Sequence, residues 1–266
     1  MRMNHIEAAK QRGMLTGQSS FMRVPSMAHI LLVQVQPRVF TAKCSEPQVG
    51  ISNGMDDGYE WVVDIDIEQF FDKVNHDKLI QILREQVNDS WTLNLIRKYL
   101  KAGVMEKGLE KATITGVPQG GPLSVVCSNI YLDKLDKELE QRGLRFTRYA
   151  DDALIFTKSE KSANRVMSSI SSWLERKLFL KVNATKAKVV RPTRSKYLGF
   201  TFLKHDAKWE VKPTTEKKKK LKQKRSEYLR RGKAIARPLV VTIKRVNEIV
   251  RGWINYFRIG MMKQFM

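Results

Sequence analysis

Leu144-Arg145-Phe146-Thr147-Arg148-Tyr149-Ala150-Asp151-Asp152-Ala153-Leu154-Ile155-Phe156-Thr157 is the stretch that decides the fold. Leu144 to Arg148 and Ala153 to Thr157 read as strands around a short Ala150-Asp151-Asp152 turn, which predicts a β-hairpin. An unpaired carboxylate beside buried strand is costly and calls for a compensating partner. The same theme occurs upstream, in Val62-Val63-Asp64-Ile65-Asp66-Ile67-Glu68-Gln69-Phe70-Phe71-Asp72. There, too, carboxylates interrupt a run that otherwise reads as buried strand. Two acidic strand ends facing each other make a hard-oxygen site suited to two Mg²⁺ ions, with Mn²⁺ as a substitute. Such a site serves in-line phosphoryl transfer.

The elements around the two motifs fall into a regular order. Trp61 to Ile67 is nearly continuous in apolar residues, as in a strand covered on both faces. Asn75 is an N-cap candidate for a helix bearing Leu79, Ile82, Leu83 and Val87. A second helix fits Trp91 to Lys101, with Leu95, Ile96, Tyr99 and Leu100 inward. The Gly/Pro stretch from 116 to 122 predicts a loop leading into a helix that runs through Leu139. Ser159 can cap a helix carrying Val166, Met167, Ile170, Trp173 and Leu174. Leu178 to Val190 and Lys196 to Val211 read as strand regions, the second as a hairpin turning near His205-Asp206. This order predicts an α+β fold with a split βαβ, ferredoxin-like core of palm type, followed by an all-helical tail.

Several blocks in sequence resemble those of one family. Gly116-Val117-Pro118-Gln119-Gly120-Gly121-Pro122-Leu123-Ser124 and Asn129-Ile130-Tyr131-Leu132-Asp133 are similar to its third polymerase block. Leu180-Lys181-Val182-Asn183 with Lys186 and Lys188, then Tyr197-Leu198-Gly199-Phe200, are similar to the next two. Val250-Arg251-Gly252-Trp253-Ile254-Asn255-Tyr256-Phe257-Arg258 is similar to the start of a maturase-specific region. A lone Tyr-Ala-Asp-Asp is a weak match, whereas ordered blocks are a specific one. From about Gly58 onward the chain thus resembles group II intron reverse transcriptases with maturase function.

The resemblance implies a right-hand polymerase palm over residues 58–203 and a basic helical thumb, opening into the maturase region, over 204–266. Residues 1–57 do not resemble the family's fingers, and the C-terminus stops just inside the maturase region. The chain therefore reads as incomplete at both ends. The implied activity is RNA-directed DNA polymerisation, a nucleotidyltransferase reaction. The implied partners are an RNA template, a DNA primer, deoxynucleoside triphosphates and the intron RNA whose splicing and mobility it assists. A homodimer is compatible with this reading.

Site residues follow position by position. Asp66, Asp151 and Asp152 are the catalytic metal ligands that the resemblance implies, with the backbone carbonyl of Ile67 beside them. Asp64 points to the same strand face as Asp66. The family places an aromatic residue five positions after the metal-binding aspartate, which selects Asp66 with Phe71. Phe71 would lie against the nucleotide sugar and exclude a 2′-hydroxyl; plain core packing is its other reading. Gln119 matches a nucleotide-contacting position, or else belongs to an ordinary Gly/Pro loop. Lys186 matches a family lysine near the nucleotide phosphates, against the alternative of a surface lysine. The chain departs from the family at Ser124-Val125-Val126-Cys127, where a proline is expected after the serine, and at Ala187, where Thr or Ser is usual.

Composition agrees with a polyanionic partner. The chain of 266 residues has a formal charge of +22 and a pI near 10.0, unlike an ordinary metabolic enzyme. From Lys204 onward, 19 Lys/Arg face five Asp/Glu, which supplies +14 of that excess. Lys217 and Lys218 open a four-lysine run that is either a phosphate clamp or a solvated face. Leu239, Ile243, Val246, Val250, Trp253 and Phe257 recur at helical spacing, while Lys244, Arg251 and Arg258 recur at seven-residue steps. That pattern predicts a helix apolar inside and basic outside, fit for phosphates. Trp253 reads as helix core before it reads as a base-stacking residue. Cys44 and Cys127 are far apart and lack metal-ligand spacing, so neither a disulfide framework nor a zinc site is expected. The apolar run from Ala28 to Val35 is too short to span a bilayer, which leaves a cytoplasmic, nucleic-acid-associated protein as the expectation. Three rival readings are an RNA-binding maturase fragment impaired in polymerisation, a retron or diversity-generating reverse transcriptase, and a truncated or frameshifted relic. The intact acids oppose the first, and the Arg251-Gly252-Trp253 block opposes the second.

Overall fold

The computed structural model describes residues 58–102, 104–106, 109–111, 115–117, 122–205, 208–236 and 238–260. Residues 1–57 and Gln119 lie outside the described residues.

β1 (Trp61–Ile65) runs antiparallel to β5 (Asp152–Thr157) on one side and to β6 (Lys188–Val190) on the other. β4 (Arg145–Tyr149) pairs with the outer edge of β5. The resulting order, β4-β5-β1-β6, is that of the ferredoxin-like βαββαβ motif. Between β1 and β4 lie α1 (Phe70–Lys73), α2 (His76–Arg84), α3 (Ser90–Lys101), a small hairpin of β2 (Val104–Glu106) and β3 (Leu109–Lys111), and α4 (Pro122–Gln141). α5 (Glu160–Trp173) joins β5 to β6 through a π-helical turn at Leu174–Leu178.

The sheet is covered on both faces because its strands are apolar in both phases. Val63, Ile65, Ala153 and Ile155 join Leu79, Ile96, Tyr131, Leu135 and Ile170 in the larger core, on the helical side. Val62, Leu154 and Phe156 point the other way, into a smaller core with Tyr197, Phe200, Phe202, Val211 and Phe257. That second face is roofed by a separate sheet of β7 (Lys196–Tyr197), β8 (Phe200–His205) and β9 (Lys208–Pro213), in the order β7-β8-β9.

Local signals hold where a cap or a turn fixes the backbone. The Asn75 side chain accepts from Lys78 N at 2.9 Å and Ser159 Oγ from Ser162 N at 3.2 Å, so both expected N-caps form. Leu95 and Tyr99 are only partly buried, and α3 instead buries Thr92, Leu93, Ile96 and Leu100. The region from Leu178 to Val190 is not one strand. Asn183 turns the chain by accepting from Thr185 N at 3.1 Å, leaving an isolated Ile67–Val182 bridge before the short β6. Lys196 to Val211 is likewise broken at Leu198 and Gly199, which have φ of 50° and 85°, so β7 precedes the β8–β9 hairpin.

The tail comprises α6 (Thr215–Leu229), α7 (Arg231–Ile235) and α8 (Leu239–Phe257). Phe257 is buried and Val246, Val250 and Trp253 are half-buried, but Leu239 and Ile243, expected inward, are 71% and 49% exposed. The preceding helix α6 buries Leu221 and is mostly lysine and other polar residues, so it offers little apolar surface to a neighbour. Among the described residues, no helix is long and apolar enough to cross a membrane.

Candidate active site

The acidic motifs meet because of strand register. Ile65 pairs with Ala153, and Tyr149 pairs with Asp152 across the hairpin. Asp66 and Asp152 are therefore the next residues along at the same end of neighbouring strands. Side chains alternate along a strand, so Asp64 and Asp66 share the face of Val62, and Asp152 shares the face of Leu154 and Phe156. Those apolar residues lie in one core, which puts the three carboxylates on one side of the sheet. Asp151 sits in the turn itself, next to Ala150, whose φ is 54°. That left-handed conformation costs a non-glycine residue about 1 kcal/mol or more.

Charge crowding follows. Burial pushes the Asp64 carboxyl up to about 6, opposed by Lys188 and assisted by the negative charges of Asp152 and Asp66. Asp152 is also raised, by desolvation first and then by repulsion from Asp151 and Asp66, with Lys186 offsetting. Two lysines answer the acids: Lys186 Nζ lies 3.3 Å from Asp66 Oδ2, and Lys188 Nζ lies 3.6 Å from Asp64 Oδ2. Lys188 is the register partner of Asp64, so their contact is fixed by the β1–β6 pairing. The Ile67–Val182 bridge uses Glu68 N on Lys181 O and Asn183 N on Asp66 O, both at 2.9 Å. These bonds straddle Ile67 and direct its own carbonyl away from Val182. Among the described residues the acids converge without closing into a ligand cluster of three or more. The donor set suits a hard divalent cation: it is all oxygen, mutually repelling, and already drawing an ammonium group to Asp66.

The loop toward Gln119 is docked against α1. Val117 N donates to Phe71 O at 2.7 Å and Gly116 N to Val74 O at 2.8 Å. His76 Nε2 donates to Gly116 O at 2.6 Å. A Cβ at position 116 would sit 2.9 Å from the carbonyl oxygens of both Phe71 and Asp72, and φ there is +93°, so this approach requires glycine. Phe71 is half-buried and packs edge-on against Phe70, with ring centroids 5.3 Å apart.

Behind the acidic turn stands a buried ion pair. Arg148 Nε and Nη2 donate to the two carboxylate oxygens of Asp136 at 2.8 and 2.7 Å. Its Nη1 donates to Ala150 O at 2.8 Å and to Asn129 Oδ1 at 3.4 Å. On the other side, Tyr197 Oη approaches Asp152 O at 3.5 Å, and the next residue, Leu198, accepts from Tyr256 Oη of α8 at 3.0 Å.

The basic residues lie on the helices of the tail. Lys244 and Arg251 line one shallow groove with Val240, Ile243, Asn247 and Glu248. Arg258 caps the exposed C-terminal end of α8. Lys217 runs along the Gly199 turn, its Cε 2.8 Å from where a Cβ there would be, and Lys218 is half-buried on α6. Trp253 packs on Phe257, with ring centroids 4.6 Å apart, as a core residue would.

The family model described as reverse transcriptase (RNA-dependent DNA polymerase) matches residues 23–202, more than half of the chain. The chain belongs to the reverse transcriptase family. The reverse transcriptase match begins upstream of Gly58, and a second model, the group II intron maturase-specific domain, matches residues 218–266. Protein YkfC of Escherichia coli (strain K12) is 29% identical over 179 residues, which span 54% of this chain and 46% of that protein. The group II intron-encoded protein LtrA of Lactococcus lactis subsp. cremoris is 38% identical over 97 residues, 36% of this chain and 16% of that protein. The chain thus spans less than half the length of these relatives. A telomerase from Candida tropicalis, solved with a fragment of telomeric RNA, superposes with a TM-score of 0.57 at 12% identity. That likeness covers 96% of this chain and 49% of the telomerase chain, and it speaks for the reverse transcriptase fold alone.

Sequence reading passed over Arg148, Asp136 and His76. A signal for the pair was present: Asp136 shares an inward helical face with Leu132, Leu135 and Leu139, all fully buried. A charged residue on such a face needs a buried partner.

Proposed function

We propose that this chain carries out RNA-templated DNA synthesis from deoxynucleoside triphosphates for a group II intron, and that it also binds the intron RNA to assist splicing and mobility. The observation that supports the reading is the register that puts Asp66 and Asp152 at the same end of the adjacent strands β1 and β5, with Asp151 in the turn beside them. Asp66, Asp151, Asp152 and the Ile67 carbonyl would hold paired Mg²⁺, or Mn²⁺ in its place. Bound there, the metals would supply charge neutralisation at the transferring phosphate and activation of the primer 3′-hydroxyl.

The chain's own residues do the positioning. Phe71, with its carbonyl tied to Val117 N, presents a ring beside the expected place of the nucleotide sugar. Gln119 contacts the nucleotide. Lys186, which now pairs with Asp66, would be free to hold the triphosphate once that carboxylate is occupied. Lys217, Lys218, Lys244, Arg251 and Arg258 neutralise backbone phosphates without reading bases. In this reading residues 58–203 form the palm and 204–266 the basic thumb and start of the maturase region, with residues 1–57 as a divergent fingers segment. Its partners are an RNA template, a DNA primer and intron RNA, in the cytoplasm, as a monomer or homodimer.

The test is primer extension on an RNA template with Mg²⁺, using the purified chain and Asp151→Asn. The reading expects metal-dependent synthesis by the parent and none by the variant, with RNA affinity retained in both. Equal extension by the two would overturn the site assignment. RNA binding without extension by the parent would favour the impaired-maturase alternative.

A further inference from the structure

We propose that Arg148 and Asp136 form a positioning pair that sets the backbone of the acidic turn, and with it the cation affinity of Asp151 and Asp152. The inference rests on the polymerase reading above. Arg148 is the penultimate residue of β4, and Asp136 lies near the end of α4. Their side chains are 4% and 6% exposed. A buried ion pair is not an economical source of stability, because removing both charges from water offsets most of their attraction. Its value here is directional. The two-pronged bond to Asp136, at 2.8 and 2.7 Å, fixes the plane of the guanidinium. Once fixed, Nη1 points at the turn and donates to Ala150 O at 2.8 Å. The same nitrogen reaches Asn129 Oδ1, two helical turns before Asp136 on the same face of α4.

The bonded carbonyl matters because of where it sits in the chain. Ala150 O and the nitrogen of Asp151 belong to one planar peptide unit. A bond on that oxygen therefore fixes the plane from which the Asp151 side chain departs. Ala150 is held at a φ of 54°, which an alanine does not adopt without outside support. Arg148 supplies that support from α4, a long and well-buried helix of the core. Neither residue touches substrate in this scheme; both act through the turn. Lysine could keep the charge at 148, but its point-like ammonium cannot make the fork and the turn contact together.

The experiment uses the full chain with Asp136→Asn, Arg148→Lys, and Leu139→Ala as a core-damaging control on the same helix. Mn²⁺ binding is read by electron paramagnetic resonance without RNA or nucleotide, alongside thermal melting and primer-extension kinetics. We expect Asp136→Asn and Arg148→Lys to weaken Mn²⁺ binding roughly 10- to 100-fold, the usual effect of losing a partner behind metal ligands. kcat should fall in parallel, with KM for the nucleotide little changed. Leu139→Ala should melt earlier yet bind Mn²⁺ as the parent does. If Asp136→Asn does not fold, Arg148→Lys, which keeps the charge, carries the test. Parent-like Mn²⁺ affinity in Arg148→Lys, or a shift no larger than that of Leu139→Ala, overturns the inference. Asp151→Asn separates the two claims. If it binds Mn²⁺ like the parent, the polymerase site reading falls, and this inference with it. If Asp151→Asn loses binding while the Arg148 and Asp136 variants keep it, only the positioning role falls.

Discussion

The acidic end of the palm sheet and the basic helices of the tail are built to different tolerances. At the sheet, strand register orders the acidic ends, and side-chain contacts from Arg148, Lys188 and Tyr197 reach Ala150, Asp64 and Asp152 there. In the tail, α8 buries Thr242 and Phe257, while Leu239, Val240 and Ile243 face solvent. The difference fits what each region would have to grip under the proposed function. Metal chemistry loses rate with small misplacements of its ligands. Phosphate contacts by long basic side chains survive shifts of a few ångströms, because they depend on charge and reach.

The contrast breaks most severely if Asp151→Asn remains active. Loss of a metal ligand should remove several kcal/mol of charge stabilisation. At 1.36 kcal/mol per decade of rate, that lowers primer extension by about 10³-fold or more, to no detectable product per active site. Next in size is an effect on folding inside the tail. Phe257→Ala empties part of the smaller core and should cost about 3–5 kcal/mol in urea melts. Leu239→Ala, on the same helix but exposed, should change stability by less than about 0.5 kcal/mol.

A third outcome concerns pH. The Asp64 carboxyl is held up at about 6 in the folded chain against 3.8 as its ordinary value. The metal-free folded state thus keeps a proton that the unfolded state releases between those values. Stability should fall as pH rises through that window and level off above it. Asp64→Asn should remove the fall, stabilising the metal-free protein at pH 8 by up to about 3 kcal/mol and leaving it unchanged below about pH 4. Melting curves across that range check it. The smallest effects belong to the basic face. Lys244→Ala and Arg251→Ala should each lower the slope of log affinity against log salt by about 1, alike for unrelated RNA sequences. A sequence-selective loss would mean that α8 reads bases.

The same contrast explains what the sequence made legible. The hairpin and the Asn75 and Ser159 caps depend on neighbours close in sequence, and those expectations match the structure. The inward placement of Leu239 and Ile243 assumed that α8 would find an apolar partner along its whole length. Periodicity describes a face and not what meets it, and the N-terminal part of that face stays open to solvent. Within the strand region from Leu178 to Val190 only β6 and one bridge form, because the Asn183 side chain competes for the backbone. Arg148 stayed hidden for another reason. Its role is defined by Asp136 on a different element, and β4 alone gives no hint that an arginine points inward.

The left-handed backbone at Ala150 has a consequence for laboratory evolution. Glycine adopts that conformation without steric penalty, so Ala150→Gly is one of the few core-adjacent changes expected to be neutral or better for folding. A library sorted for heat resistance alone would therefore admit this exchange, whereas one sorted for turnover would reject it, because the added freedom lets the neighbouring aspartate wander. Comparing the two sorted pools at this codon would show, in a single sequencing run, whether durability and catalysis pull the turn in opposite directions.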